Sequence, residues 1–545
     1  MRNLYVVAIG GSGERVMRSL IMLLTSGVKV NAQQIVPVFI ENDTQSHAMG
    51  ECTRLLEYYN NDDPKGKGLH AIYKSLGDNS DEWPSFCKTK IAAPILLDHA
   101  GVGENAGTLK GVIGVGNRND ANSEPIFNRI DEERDILFTP DDLNMPLTVG
   151  FVGNPNIGSV VINSLSLNDE RLGNIKSDCN NGDGLIVVGS LFGGTGAAGI
   201  PLFIRTVNQW PDQNRPTLGT IAVLPYYVTN PDNRKEVPAI IDTTKYRVQS
   251  EAFDAKTRAA LMYYADYMTD MDYMYYVGDS ANKDMYSHCE GGSQQNNRAH
   301  LVELMSALSI VDFSKTTKRA QGDQIYKRPV WGINIDGNAA QLPANISSIY
   351  NKDLAYSLVK FRMMMQLFKD DDFIKRGFAE NQPYAQNLGF NEALRQNVIK
   401  EELANNDVTA WGLNHIMEEW TKWMDELNNE NANRRFAIYN DQAPATDKDL
   451  TSKFYSNTGF GVAKTEEKRI RIFGPKVEVA VNADIQEALH NAYEKLYPEG
   501  KKGDALNYDD SERLPRLLQI ISEALDEVIK GRCIQSINNV IDNKQ

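Results

Sequence analysis

Short apolar runs, each closed by glycine or a polar turn, alternate with segments of helical period over the first two-thirds of the chain. Leu4–Ile9 is rich in Val and Ile and runs into Gly10-Gly11-Ser12-Gly13, after which Arg15–Leu24 has helical spacing. Ile35–Ile40 is a second run, ending at Glu41-Asn42-Asp43, and Leu147–Val152 a third, entering Gly153-Asn154-Pro155-Asn156-Ile157-Gly158. Gly184–Val188 enters Gly189–Gly196 and then a helix; Gly219–Leu224 and Tyr273–Val277 follow. Periodicity alone does not separate buried strand from buried helix, but glycine after each run favours strand. Strands alternating with helices predict an α/β fold, a Rossmann-like parallel sheet flanked by helices on both faces.

The pattern changes twice. Residues 50–145 are polar, rich in Asn, Asp and Gly, and weakly periodic, which reads as a large insertion. Beyond residue 350, Leu354–Phe368, Glu392–Leu403, His415–Leu427, Ile485–Leu496 and Leu514–Ile529 all have helical spacing, and in the last of these Leu514, Leu517, Leu518, Ile521, Leu525, Val528 and Ile529 fall on one face. A β-like stretch, Arg469–Val479, interrupts them. The expected organisation is an α/β domain over 1–310 carrying the 50–145 insertion, a connecting loop and strand region over 311–350, and a mostly helical C-terminal domain over 351–545. A chain of 545 residues is too long for one ordinary core, in keeping with this division.

Composition narrows the function classes. With 41% hydrophobic and 24% charged residues the chain reads as soluble and globular, and it has no run of the roughly 18 apolar residues that a membrane helix needs. No signal peptide is expected, since the chain begins directly with an apolar run and a glycine turn. Cys52, Cys87, Cys179, Cys289 and Cys533 are scattered, with no CxxC pair, and no HExxH occurs; this argues against disulfides and a protein metal site and fits the cytoplasm. A formal charge of −15 makes nucleic acid a poor partner. The basic stretches Lys315–Arg319 and Lys468–Arg471 are the size of solvated loop ends.

The chemistry lies in the turns. In open α/β sheets ligands bind beyond the carboxyl ends of the strands. Gly193-Gly194-Thr195-Gly196-Ala197-Ala198 is the strongest candidate: its glycines let the backbone approach a phosphate, the following helix aims free N–H groups at the anion, and Thr195 adds a hydroxyl. No GxxxxGK[ST] occurs, so backbone N–H groups must do most of the holding. The same glycines also suit a tight strand–helix turn with close packing. Gly10–Gly13 suits any Rossmann-like first turn, and with Glu41 it also reads as a dinucleotide site. Asn42-Asp43-Thr44-Gln45 also reads as a helix cap, and Gly153–Gly158 as a simple Asn-Pro turn.

Taken together, these turns resemble the tubulin/FtsZ superfamily. Gly193–Ala198 is similar to its GGTGxG signature, with Pro201 where FtsZ-type sequences also carry proline; Phe192 replaces the preceding glycine and Ala198 the last one. Gly10–Gly13 resembles the family's first nucleotide loop, Asn42–Gln45 its Asn-Thr-Asp-Ala-Gln loop with Thr and Asp exchanged, and Gly153-Asn154-Pro155 through Gly158 its γ-phosphate loop. Leu224-Pro225-Tyr226 stands where the family has a Lys-Pro-Phe strand end. Phe253-Asp254-Ala255-Lys256-Thr257-Arg258 resembles Phe-Glu-Gly-x-x-Arg, and Asp272–Val277 the next strand. The likeness covers roughly residues 1–310, with interruptions at 50–145 and 228–250.

The resemblance implies GTP or GDP with Mg²⁺, and a nucleotide site made by Gly10, Gly11, Ser12, Gly13, Asn42, Asp43, Gly153, Asn154, Gly193, Gly194, Thr195 and Gly196. It implies that Asp254 and Arg258 lie near the ribose and base, and that the base is read at the start of a central helix over Arg298–Ile310, by Asn297 or Asn296. Plain N-capping is the alternative for either asparagine. Hydrolysis in the family is completed by a carboxylate of the adjacent subunit. Asp312, in Val311-Asp312-Phe313, and Asp323 are the candidates, and surface acids are the alternative reading. The expected activity is a GTPase that self-associates into filaments, with a helical tail that meets an unknown protein partner. A nucleotide-binding scaffold or sensor that has lost polymerisation is the second expectation, and an NAD(P)-dependent enzyme of Rossmann type the third. Trp411, Trp420 and Trp423 read as core residues of the tail, and the acids over Glu418–Glu430 as a solvated face.

Overall fold

The computed structural model describes residues 1–43, 46–60, 68–77, 83–97, 107–112, 138–145, 147, 150–151, 153–166, 169–230, 250–268, 270–278, 284–287, 299–320, 325–329, 354–369, 408–428, 436–437, 457–458, 462–464, 469–471, 477–478, 485–498 and 514–527. Among them β1 (Asn3–Ile9), β2 (Gln34–Ile40), β3 (Lys90–Ile91), β4 (Ile95–Leu97), β5 (Gly184–Ser190), β6 (Thr217–Val223), β7 (Tyr273–Val277) and β8 (Tyr326–Pro329) form one sheet. The order is β8-β7-β6-β5-β1-β2-β3, with β4 also on β2, and every pairing is parallel. Strand order therefore reverses at β1, which has β2 on one side and β5 on the other.

Both faces of this sheet are buried, which is why its strands read as continuous apolar runs. Leu4, Val6, Ala8, Ile186 and Val188 face one cluster, shared with α1 (Gly10–Thr25), α2 (His47–Asn60) and α7 (Leu301–Phe313). Tyr5, Val7, Ile9, Leu185 and Val187 face the other, shared with α4 (Glu170–Asp178), α5 (Gly194–Asn208) and α6 (Phe253–Tyr267). Between them stands α3 (Pro155–Ser166), whose Ile157, Val161 and Ile162 cluster with Ala198 of α5. The expected α/β architecture is thus present: a parallel sheet with helices on both faces.

Two expectations need correction. Of the expected strand Leu147–Val152, the described residues Leu147, Gly150 and Phe151 lie in tight turns, and Leu147 and Phe151 are buried beneath α3 rather than paired in a sheet. Apolar content there reflects packing below a turn. The central helix begins at Leu301, not Arg298, because His300 caps it: His300 Nδ1 accepts the Val302 amide at 3.1 Å. Every residue of α7 from Leu301 to Phe313 is buried, as its apolar residues on all sides require. The helix starts beside Tyr226, just beyond the carboxyl end of β6, where the His300 and Tyr226 rings lie 4.6 Å apart. It ends at the opposite edge of the sheet, where Ser314 Oγ accepts the Asn31 amide at 2.9 Å.

Parts of the 50–145 stretch belong to this core: Cys52, Leu55, Leu56 and Tyr59 of α2 pack against α1, and β3 and β4 extend the sheet. In the tail α8 (Ala355–Lys369), α9 (Val408–Asn428), α10 (Ile485–Leu496) and α11 (514–527) match the helical periodicity, while Glu392–Leu403 lies outside the described residues. Short antiparallel strands pair Phe436–Ala437 with Val462–Lys464 and Val462–Lys464 with Arg469–Arg471, so β structure extends beyond the Arg469–Val479 stretch. Trp420 and Trp423 are core residues: their indole N–H groups donate to Ser26, the C-cap of α1, and to Ser19 within it, at 2.8 and 3.3 Å. Lys360 of α8, also buried, joins Ser85 and Ser522 at 2.8 and 3.0 Å and pairs with Asp526 at 2.6 Å. The tail and the sheet domain therefore share one hydrophobic core. Among the described residues no helix is long and apolar enough to cross a membrane.

Candidate functional site

The two glycine-rich turns that flank the strand reversal at β1 lie against each other. Neither is a free loop. The chain passes directly from β1 into α1 at Gly10, whose φ of +70° is the left-handed backbone that favours glycine. The second turn enters α5 at Gly194, with Gly193 as N-cap and no side-chain cap. Gly11, Ser12 and Gly13 thus form the first turn of α1, and Thr195 and Gly196 that of α5, so both N-termini aim amides at the same space with no N-cap side chain bonding them. A methyl group on Gly10 would approach Thr195 Cβ to 3.0 Å and the Gly196 nitrogen to 3.4 Å.

The glycines divide by what they serve. Gly13 and Gly196 serve packing: a Cβ on Gly13 would lie 2.7 Å from the Val188 oxygen, and one on Gly196 2.6 Å from the Ser190 oxygen. A Cβ on Gly11 would meet nothing within 4 Å, so packing gives no reason for glycine there. Its place on the open side is what close approach of a ligand to the backbone would require.

The other two turns close in from either side. Gly153, with φ +73°, has its nitrogen 3.2 Å from a Cβ built on Gly194, and the Asn154 nitrogen lies at 3.1 Å. Asn154 is the N-cap of α3, its Oδ1 accepting the Asn156 and Ile157 amides at 3.2 and 3.5 Å, while its Nδ2 donates to Asp142 at 3.3 Å. Capping thus occupies the Asn154 side chain, leaving its backbone to face α5. Ala198, where the family signature has glycine, is buried 3.0 Å from a Cβ built on Gly158, so its methyl fills the α3–α5 contact. Phe192, the other departure, is buried among Tyr226, Tyr227 and Phe253, with ring centroids 4.6–6.3 Å away.

From the β2 end, Glu41 reaches under α1. Its Oε1 accepts the Asn42 and Asp43 amides at 2.7 and 3.1 Å, and the Gly11 amide also bonds to it. Asn42 Nδ2 donates to the Leu147 carbonyl at 3.3 Å, and Asp43 is buried. Ser46 donates to Glu14 Oε2 at 2.6 Å, while Glu14 Oε1 is buried with no hydrogen-bond partner among the described residues. Burial, opposed by the Asp43 and Asn42 amides, raises the Glu41 carboxyl from 4.5 to about 7. Burial, then the Glu41 charge, pushes Glu14 well above the usual carboxylate range. No group of three or more His, Cys, Asp and Glu among the described residues is arranged to hold a metal ion by itself.

These carboxyls set a pH dependence. A carboxyl whose folded value exceeds its unfolded value makes the folded state bind more protons between the two, so stability falls as pH rises through that window. For Glu41 the window runs from 4.5 to about 7, and full ionisation costs about 3 kcal/mol. Urea midpoints are expected to rise as pH is lowered from about 8 to about 5.5, and Glu41→Gln is expected to flatten that slope. An equally steep profile in the variant would locate the effect elsewhere.

The remaining candidates are spread out. Asp254 and Arg258 sit on the first turns of α6, and both are exposed. Between them Lys256, half-buried, donates to the Gly153 carbonyl at 2.6 Å. Asp312 is buried near the far end of α7, where its Oδ2 accepts the Tyr275 hydroxyl at 2.7 Å; it is a core residue and not a surface acid. Asn296, Asn297 and Asp323 lie outside the described residues. Sequence reasoning missed Lys256, Glu14 and Arg15. Lys256 fell on a variable position of the motif and Glu14 directly after Gly13, so only three-dimensional proximity marks them. Arg15 is turned to the core, where it meets the buried Glu303 at 3.5 Å and Tyr226 donates to that same carboxylate at 2.9 Å. A cavity of about 920 Å³ lined by Leu218, Tyr264, Met268 and Met271 lies at the opposite edge of the sheet, away from these turns.

The arrangement combines two helix N-termini with glycine backbones, and it has no lysine or arginine within 10–13, 41–43, 150–154 or 193–198. Set beside known proteins, the chain matches no protein-family model and no curated sequence.

Proposed function

We propose that this chain binds a guanine nucleotide as a divergent relative of the tubulin/FtsZ superfamily, and that it hydrolyses GTP at contacts between subunits stacked into filaments. The observation that carries the reading is the convergence of Gly10–Gly13, Asn42-Asp43, Gly153-Asn154 and Gly193–Gly196 at the strand reversal. Ligands of open α/β sheets bind at such a reversal. The turns follow the order of the family's nucleotide loops, which is what favours GTP over other nucleotides.

In this reading the amides of Gly11, Ser12, Thr195 and Gly196 hold the phosphates, with helix dipoles adding to the attraction. The Thr195 hydroxyl donates beside them, and the Gly153-Asn154 turn closes the distal side. Mg²⁺ would offset charge on the phosphates, and Glu14, Glu41 and Asp43 are the carboxylates near enough to α1 to orient its water shell. Glu41 now accepts the Gly11 amide, so nucleotide entry displaces that bond.

The course of α7 supports assembly. It runs from the nucleotide edge to the opposite edge of the sheet. In a head-to-tail stack the residues after α7 meet the neighbour's turns. A second reading, a nucleotide-binding scaffold without hydrolysis, draws on Asp312: its carboxylate is committed to Tyr275 in the core.

Turnover of GTP with Mg²⁺ across a protein concentration series, with sedimentation in parallel, separates the two. The polymerising reading expects turnover per subunit to rise cooperatively with pelleting. GTP binding with flat, negligible turnover and no pellet supports the scaffold. Binding of a nicotinamide cofactor in preference to GTP would defeat both.

A further inference from the structure

The turns that would hold the phosphates bring no positive side chain, yet they stand beside three buried carboxyls, Glu14, Glu41 and Asp43. A nucleoside triphosphate brings negative charge into a space where these carboxyls are already desolvated. Backbone dipoles attract that charge but carry no net charge of their own, so any side-chain cation beside the phosphates comes from another element. Arg15, the nearest in sequence, is directed to Glu303 in the core. Lys256 of α6 reaches the turns: its ammonium lies 2.6 Å from the Gly153 carbonyl, and Gly153 abuts Gly194 at the start of α5.

We propose that Lys256 is the side-chain cation for the nucleotide's phosphate chain, moving from the Gly153 carbonyl to a phosphate oxygen when the site fills. The inference rests on the nucleotide reading above and adds to it a residue that discriminates by ligand charge. Lys256 suits the task in three ways. Its hydrogen-bond acceptor is a neutral carbonyl, and no carboxylate pairs with it among the described residues. It is half-buried, and burial alone holds its ammonium below the usual lysine range, a strain that an adjacent anion relieves. The flexible stem lets the ammonium swing to a phosphate without moving α6.

Because the contribution is a charge–charge contact, it grows with the number of phosphates. Lys256→Met, which keeps the apolar stem, is expected to weaken GTP binding about 10- to 100-fold, as loss of a charged hydrogen bond does. GDP is expected to lose less and guanosine nothing, while Lys256→Arg retains most of the affinity. The check is calorimetric titration with each ligand, alongside thermal melts to establish that the variants fold. In the wild-type protein, GTP and inorganic tripolyphosphate are both expected to protect Lys256 from amine acylation read by mass spectrometry, which decides the matter even if the Met variant misfolds. Equal GTP affinity in wild type and Lys256→Met, or acylation of Lys256 unaffected by either ligand in a protein that binds GTP, overturns the assignment and leaves the nucleotide reading intact. A wild-type protein that binds neither GTP nor GDP overturns both.

Discussion

Gly196→Ala is expected to lose about 3 kcal/mol or more of stability, while Gly11→Ala stays within about 0.5 kcal/mol of the parent. A methyl group on Gly196 would stand 2.6 Å from the carbonyl oxygen and 2.7 Å from the nitrogen of Ser190. Both are backbone atoms of β5, a central strand paired on both sides, so neither can give way. Relief would require α5 to lift from the sheet, and α5 carries Ile200, Phe203 and Ile204 into the core. Gly11 meets nothing within 4 Å, so the same substitution there strains nothing, and alanine's helix preference adds slightly to stability. Urea denaturation of the two variants separates packing glycines from ligand-facing ones. Equal midpoints for both would mean that the α5–β5 contact is looser than described.

Trp423→Ala carries the second large effect, a loss of about 3–5 kcal/mol. Trp423 is among the largest fully buried side chains, and its indole N–H bonds to Ser19 of α1. Trp420, one turn earlier, bonds to Ser26 and packs against Phe361 of α8 at 5.2 Å, and Phe361 meets Phe86 at 5.6 Å. Removing Trp423 therefore opens a cavity where the tail and the first helix of the sheet domain meet. Since one core spans both, unfolding followed by far-ultraviolet dichroism and by tryptophan fluorescence should shift together to lower denaturant. Loss of the fluorescence transition alone would instead describe a tail that folds apart from the sheet.

The sheet was legible because parallel strands buried on both faces must be apolar throughout. β1, β2, β5, β6 and β7 all stand within a few residues of the runs that mark them, and the helices of the tail follow their 3.6-residue period. The apolar run at Leu147–Val152 misled because burial beneath a turn needs the same residues as burial in a strand. The extension of the sheet through Lys90–Ile91 and Ile95–Leu97 escaped notice because such short strands carry no period.

Of the site, the glycines were legible because turn geometry restricts those positions to one residue type. What was not legible is which glycine serves packing and which serves the ligand. Gly11 and Gly13 look alike in sequence, and they differ only in what stands across from them, open space in the first case and Val188 in the second. Lys256 and Glu14 were invisible for the same reason: their meaning comes from Gly153 and Glu41, far away along the chain. Asp312 drew attention through its Val-Asp-Phe context, and the fold gives it Tyr275 as a partner instead of a surface.

The most direct test of the central claim is calorimetric titration of GTP with Mg²⁺ into the wild-type protein and into Gly11→Ala, both checked for equal thermal stability. The account predicts binding at one site per chain in the wild type and loss of most of that affinity in the variant, since a methyl there stands between the α1 amides and the phosphates. Equal affinity in the two proteins, or no binding in the wild type, would contradict it.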